Sequence, residues 1–246
     1  MDLFAIIVVL IAYTIKGLSG FANALVFSSF MSFRNNNINI SPIEVLMAFP
    51  SNLILTIKER KNLSWKIFLP LIIMVIIGVI PGTILLKNID ATVLKICFGF
   101  AIALISIEIF LREFGKNTKK VQSSPLALTI IGIVSGILSG LFGVGAFLVA
   151  YISRTTNNSS AFKANLCIVF MVENIFRIII YISTGILTLT IAKQAILLMP
   201  FMLIGLFIGI LLSKKISESL IKKIIIILLL LTGLSLMITN ILTLLL

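Results

Sequence analysis

Apolar residues in this chain come in long blocks rather than alternating with polar ones. Eight blocks can be marked, at 3–33, 42–57, 67–86, 91–111, 126–153, 161–184, 191–213 and 219–246. A helix needs about 20 apolar residues to span a bilayer core. The pattern therefore predicts an all-α polytopic membrane protein. Blocks one and five are longer than a single crossing needs, and glycines interrupt both. The first break reads Gly17-Leu18-Ser19-Gly20-Phe21. The second lies in GILSGLFGVGAF at 136–147, which holds Gly136, Gly140, Gly143 and Gly145. Glycine weakens a helix interior and lets backbones approach closely. In lipid, such a break is tolerated where it is buried in protein or lines a cavity.

The blocks repeat. Leu-Ser-Gly followed within two residues by Phe occurs in block one and again in block five. Gly78 and Gly82 precede a lysine-bearing turn, as Gly205 and Gly209 do in the second half. These Gly-xxx-Gly pairs are expected to be close helix–helix contacts. Asn52 and Asn174 correspond as well. The expected division is an N-terminal membrane repeat at 1–112, a basic polar linker at 113–125 and a C-terminal membrane repeat at 126–246.

Charge changes the picture of topology. The chain is 60% hydrophobic and 11% charged, with 20 Lys and Arg against 8 Asp and Glu. In a chain this apolar, the basic excess points to loop orientation and lipid headgroups, and nucleic acid is not an expected partner. If all eight blocks cross, the Lys and Arg outside the spans divide evenly, nine to each side. If blocks one and five are re-entrant hairpins turning at their glycines, the division becomes fourteen against four. Cytoplasmic loops normally carry the excess. The hairpin arrangement is therefore expected: six full crossings, both termini outside, and one half inverted relative to the other. Inverted repeats with broken helices at the membrane midplane are a transporter plan.

Candidate chemistry gathers in two places. At each break a half-helix would aim its first N–H groups at the bilayer middle, and these donors favour an anion. The backbone donors expected are those of residues 21–24 and 141–145. Ser19, Gly20, Asn23, Ser139, Gly140, Gly143 and Gly145 are the site residues expected there. The plainer reading is that small residues let helices pack. The second place is block six, where Glu173, Arg177 and Tyr181 share one helical face beside Asn174. An ionisable group in a span costs at least about 2.5–3.5 kcal/mol on insertion scales, so it marks function by default. Arg177 would hold an anion by forked hydrogen bonds. Glu173 is either its resting partner or a proton carrier, and the pair alternatively serves structure alone. Lys16 either adds charge to the site or snorkels to an interface. Glu44, near the end of block two, is expected at an interface. Cys97 and Cys167 sit in apolar blocks and are expected to pack. There is no histidine, so no metal, cofactor or enzyme constellation can be named. No phosphate-binding glycine-lysine loop suggests direct ATP drive.

Several of these features occur together in a known family. They are the two four-block halves, the GILSGLFGVGAF run opening the second half, and Asn174, Arg177 and Tyr181 leading to Gly185-Ile-Leu. Gly205 and Gly209 before a basic turn complete the set. On these residues the chain resembles the TauE/SafE sulfite exporter family of membrane transporters over nearly its whole length. The resemblance implies transport of sulfite, sulfonates or related small anions. Two places depart from the family pattern. Ala146 and Phe147 follow Gly145 where the family often continues with glycine and proline, and Phe-Ala-Asn-Ala replaces the first-half glycine run. The function expected is a secondary transporter for a small anion in a prokaryotic plasma membrane. An uncoupled anion channel and a non-transporting assembly factor are the rivals. The partners expected are the anion, the bilayer, protons as coupling ion and a second copy of the chain in a homodimer.

Overall fold

The structure is a computed structural model that describes residues 2–114, 125–143, 145–156, 158–213, 215 and 218–245. Block one divides into α1 (Leu3–Ser19) and α2 (Asn23–Met31), and α3 (Asn37–Lys58) follows. A 3-10 turn at Arg60–Asn62 leads to α4 (Trp65–Asn88) and α5 (Ala91–Phe114). Block five likewise divides into α6 (Pro125–Phe142) and α7 (Ala146–Thr155). The chain then continues through α8 (Ser159–Ser183), α9 (Leu189–Leu212) and α10 (Glu218–Leu245). The described residues contain no strand. Most of the linker expected at 113–125 lies outside the described residues, as does Lys214 in the second basic turn.

Short polar residues set where the helices start. The Asp2 carboxylate accepts from Phe4 N–H at 3.1 Å and opens α1. Asn158 accepts from Ala161 N–H at 2.7 Å and opens α8. Thr188 accepts from Ile191 N–H at 3.3 Å and opens α9. These side chains satisfy N–H groups that have no partner inside the helix.

Packing links the two halves. α1 lies along α9, α6 along α4, α5 along α10 and α3 along α8. Glycines set the spacing. A methyl group built on Gly209 would sit 2.9 Å from Gly17 Cα, and one on Gly78 would sit 3.0 Å from Gly136 Cα. One on Gly99 would sit 2.7 Å from the Gly233 carbonyl oxygen. The Gly78/Gly82 and Gly205/Gly209 pairs are therefore close helix–helix contacts, as their spacing predicts.

Among the described residues, four helices are long and apolar enough to cross a membrane: α3, from Ile38 to Lys58, α4, α8 and α9. Their outward faces are apolar. Leu69, Ile73, Ile77 and Ile84 of α4 and Ile204, Phe207, Ile208 and Leu211 of α9 are exposed. A face this large and apolar belongs against lipid rather than water. α3 is the most enclosed of the four and the least apolar. It carries polar side chains inward.

Side-chain ties show which ends lie together. Arg34, just past α2, pairs with Asp2 at 2.8 Å and stacks on the Phe4 ring at 4.3 Å. The chain therefore returns after the first break to the end where it began. Lys87, at the close of α4, donates to the Thr184 carbonyl just past α8 at 2.8 Å. At the opposite ends of these helices, Ser64 N–H donates to the Asn165 side chain at 2.9 Å.

Candidate functional site

The two breaks are made by left-handed residues. Gly20 has φ 86° and Gly143 has φ 76°. Gly20 N–H donates to the Lys16 carbonyl at 2.7 Å, which closes α1. Gly143 N–H donates to the Ser139 carbonyl at 2.8 Å, which closes α6. Ala22 also lies at φ 71°, where an L side chain is strained. The Ser19 hydroxyl lies 2.8 Å from the Ile15 carbonyl oxygen and accepts from Phe21 N–H at 3.3 Å, so it braces the turn. From α8, Lys163 Nζ donates to the Leu18 carbonyl at 2.9 Å and holds the end of α1.

New helices open after each break. The first hydrogen bond of α2 is Val26 N–H to the Ala22 carbonyl, so the N–H groups of Asn23, Ala24 and Leu25 precede it. The first bond of α7 is Val149 N–H to the Gly145 carbonyl. This corrects one expectation. Leu141 and Phe142 lie inside α6, Gly143 N–H is taken by the Ser139 carbonyl and Phe21 N–H by the Ser19 hydroxyl, so these are not free donors, and the second half-helix opens at Ala146. The expected donors begin directly after Gly140, but Gly140, like Gly136, serves packing against α4. A methyl on Gly140 would meet Thr83 N at 2.6 Å and the Val79 carbonyl oxygen at 2.7 Å.

Between the breaks lies a small cavity of about 30 Å³. Lys16, Asn23, Asn52, Ser139, Gly143, Gly145, Glu173, Asn174 and Arg177 all line it, together with Glu44 and Phe170. Ser19 and Gly20 stand behind it in the first turn, Gly140 faces α4, and Tyr181 lies one layer further out beside Arg177.

Arg177 is the hub. It is 1% exposed, and its Nη1 lies 3.5 Å from Glu44 Oε2 and 3.8 Å from Glu173 Oε1. Its Nη2 donates to the Tyr181 hydroxyl at 3.0 Å. Both carboxylates are 2% exposed. Glu44 Oε1 accepts from Asn23 Nδ2 at 3.0 Å, and Glu173 Oε1 accepts from the Ser139 hydroxyl. Burial at this depth requires such pairing, because an isolated ion is strongly disfavoured away from water. Lys16 is 1% exposed and sits 5.8 Å from the Tyr13 ring centre, so it faces the site rather than an interface. Some polar atoms lack partners among the described residues: Arg177 Nε, Asn174 Nδ2, Asn52 Oδ1 and Glu173 Oε2. Buried groups are normally satisfied, so four unpartnered atoms on residues that line one cavity are an incomplete shell.

Glu44 is the residue that the reading of the chain misplaced. It was expected at an interface because block two begins at 42. The helix in fact begins at Asn37, so Glu44 lies two turns inside and points to Arg177. The polar run 35–39 reads as a loop, yet much of it is helix. Nothing in the local pattern signals the partner, which is 133 residues away.

Apolar helices that pack two halves across each other, with two broken helices meeting at a buried charged cavity, define a polytopic membrane transporter. The family described as sulfite exporter TauE/SafE matches residues 5–236, and the chain belongs to it. It is thus a member of a transporter family and not of an enzyme family. No curated relative and no solved structure matches the chain.

Proposed function

We propose that the protein is a secondary transporter for a small sulfur-containing anion, sulfite or a sulfonate, which binds between the two helix breaks. The observation that carries this reading is Arg177, a buried guanidinium whose Nε is unpartnered beside the cavity. A guanidinium matches the oxygens of a sulfonate or sulfite through parallel hydrogen bonds. Lys16 adds a second buried cation with no ion pair within 4 Å among the described residues. The N–H groups that open α2 supply further donors at the cavity wall.

The membrane arrangement goes with it. Residues 1–112 and 126–246 form two repeats, each with a re-entrant helix pair and three full crossings, inverted relative to one another. The return of Arg34 to Asp2 supports the first hairpin. The joined ends of α4 and α8 support the alternation of the crossings. Asn52 and Asn174 line the cavity from equivalent places in α3 and α8, as do Ala48 and Phe170. With this arrangement fourteen loop cations lie on the cytoplasmic side and four outside.

The test is flux in proteoliposomes. Labelled sulfite and a simple sulfonate are offered to wild type and Arg177→Ala, with and without a pH gradient. Saturable flux by wild type is expected, with a loss of tenfold or more in the variant, about the factor that 1.5 kcal/mol of charged hydrogen bonding supplies. Flux that saturates identically in a folded Arg177→Ala overturns the site. Flux that never runs uphill on a gradient identifies a channel instead.

A further inference from the structure

Glu44 occupies the place that an anion needs. Its Oε2 is 3.5 Å from Arg177 Nη1, and its Oε1 is held by Asn23 from the first half-helix. Both oxygens therefore act as acceptors, which describes an ionised carboxylate. The cavity beside it is small, and Glu44 already takes Arg177 Nη1, one of the donors that a forked grip on an anion would use. For an anion to take Nη1 as part of that fork, the carboxylate on it must leave. Glu173 is the less suited to leave. It sits one helical turn from Arg177 on the same helix, at 3.8 Å, and the Ser139 hydroxyl anchors it. Glu44 reaches across from α3, so a modest shift between helices separates it from the guanidinium.

We infer that Glu44 is the internal counter-anion of the empty site, and that substrate displaces it from Arg177 as Glu44 takes up one proton. This rests on the anion-site reading above. The balance is simple. In the empty site, carboxylate and guanidinium cancel. In the loaded site, guanidinium and a monovalent anion cancel, and the carboxylate, left buried without its cation, becomes a neutral carboxyl by binding a proton from solution. No other bond is made or broken. The charged and titratable groups facing Glu44 are Tyr13 and Lys16 from α1 and Glu173, Arg177 and Tyr181 from α8. Among these, Lys16 is the one group able to compensate Glu44 without a proton, by receiving it in place of Arg177. Counting protons separates the two.

The experiment is calorimetric titration of the full chain in nanodiscs with methanesulfonate, which carries no titrating proton in the neutral range. Repeating it in buffers of different ionisation enthalpy gives the protons bound per anion. For wild type we expect about one proton per anion, with affinity falling about tenfold per pH unit as pH rises. Glu44→Gln should keep binding, show no proton uptake and lose the pH dependence. Glu44→Asp should restore uptake, and Glu173→Gln should leave it in place. No uptake by wild type that binds overturns the inference, and it does so whether or not any variant folds. Unchanged uptake in Glu44→Gln also overturns it while leaving the anion site standing. Failure of wild type to bind at all overturns the anion site and the inference together.

Discussion

Lys16 and Arg177 are the buried cations among the described residues, and each is 1% exposed. They differ in their company. Arg177 is met by two carboxylates, while Lys16 makes no ion pair within 4 Å among the described residues and has the Tyr13 ring centre at 5.8 Å. A buried ammonium without an ion pair is costly to keep. With the proposed anion bound at the cavity wall, the cost of keeping Lys16 would be offset. Replacing it by a neutral side chain of similar length therefore acts on the loaded state more than on folding. Lys16→Gln is expected to weaken sulfonate binding about tenfold or more, since a charged hydrogen bond contributes roughly 1.5–3 kcal/mol. Titration at fixed pH checks this, and unchanged affinity would return Lys16 to a packing role. Asn23 matters at the same scale, because it joins the start of α2 to Glu44 and so couples the first break to the ion cluster.

The helices meet through glycine, and these seams lead up to the two breaks. α6 reaches its break only after running against α4, and α1 only after running against α9. At these seams backbone faces backbone. A side chain on Gly140 would press on Thr83 N and the Val79 carbonyl oxygen, and neither can swing aside as a flexible side chain would. Gly140→Val is expected to destabilise by about 1–3 kcal/mol, the range for overpacked sites. A thermal melt in detergent would show it, whereas the same change at Gly185 meets no neighbour within 4 Å and is strained only by its φ of 72°. The breaks themselves are short. Three residues separate α1 from α2, so the second half-helix starts with its N–H groups already at the cavity.

At the scale of the whole molecule, a second and larger cavity lies at the Asp2 end. It has a volume of about 700 Å³ and lies where Asp2, Asn35, Lys87, Thr184 and Gln194 come together, and Ile43, the neighbour of Glu44, is in its wall. At the other side, Lys163 and the edge-on Phe21–Phe162 pair, 6.0 Å apart, cover the first break. The arrangement makes a topological prediction. Single cysteines at Asn35 and Thr188 should react with an impermeant thiol reagent from the same side of sealed vesicles, and one at Lys61 from the other. If all eight blocks crossed, Asn35 and Thr188 would label from opposite sides.

Much of this was legible in the chain before folding. Block length and composition set the helices, because lipid leaves the backbone no partner but itself. Glycine spacing marked both the breaks and the seams, because only glycine allows that approach. Glu173, Asn174 and Arg177 stood out because ionisable groups in an apolar block are costly. Three things had to come from the tertiary structure. Gly143, rather than Gly136 or Gly140, ends α6, because the earlier glycines are taken up by packing against α4. Lys16 faces the cavity, because α1 is wrapped by α9 and ends against Lys163. Glu44 pairs with Arg177 across the two halves of the chain. A local pattern reports what a residue costs to bury; only the assembled bundle brings together the distant group that offsets that cost.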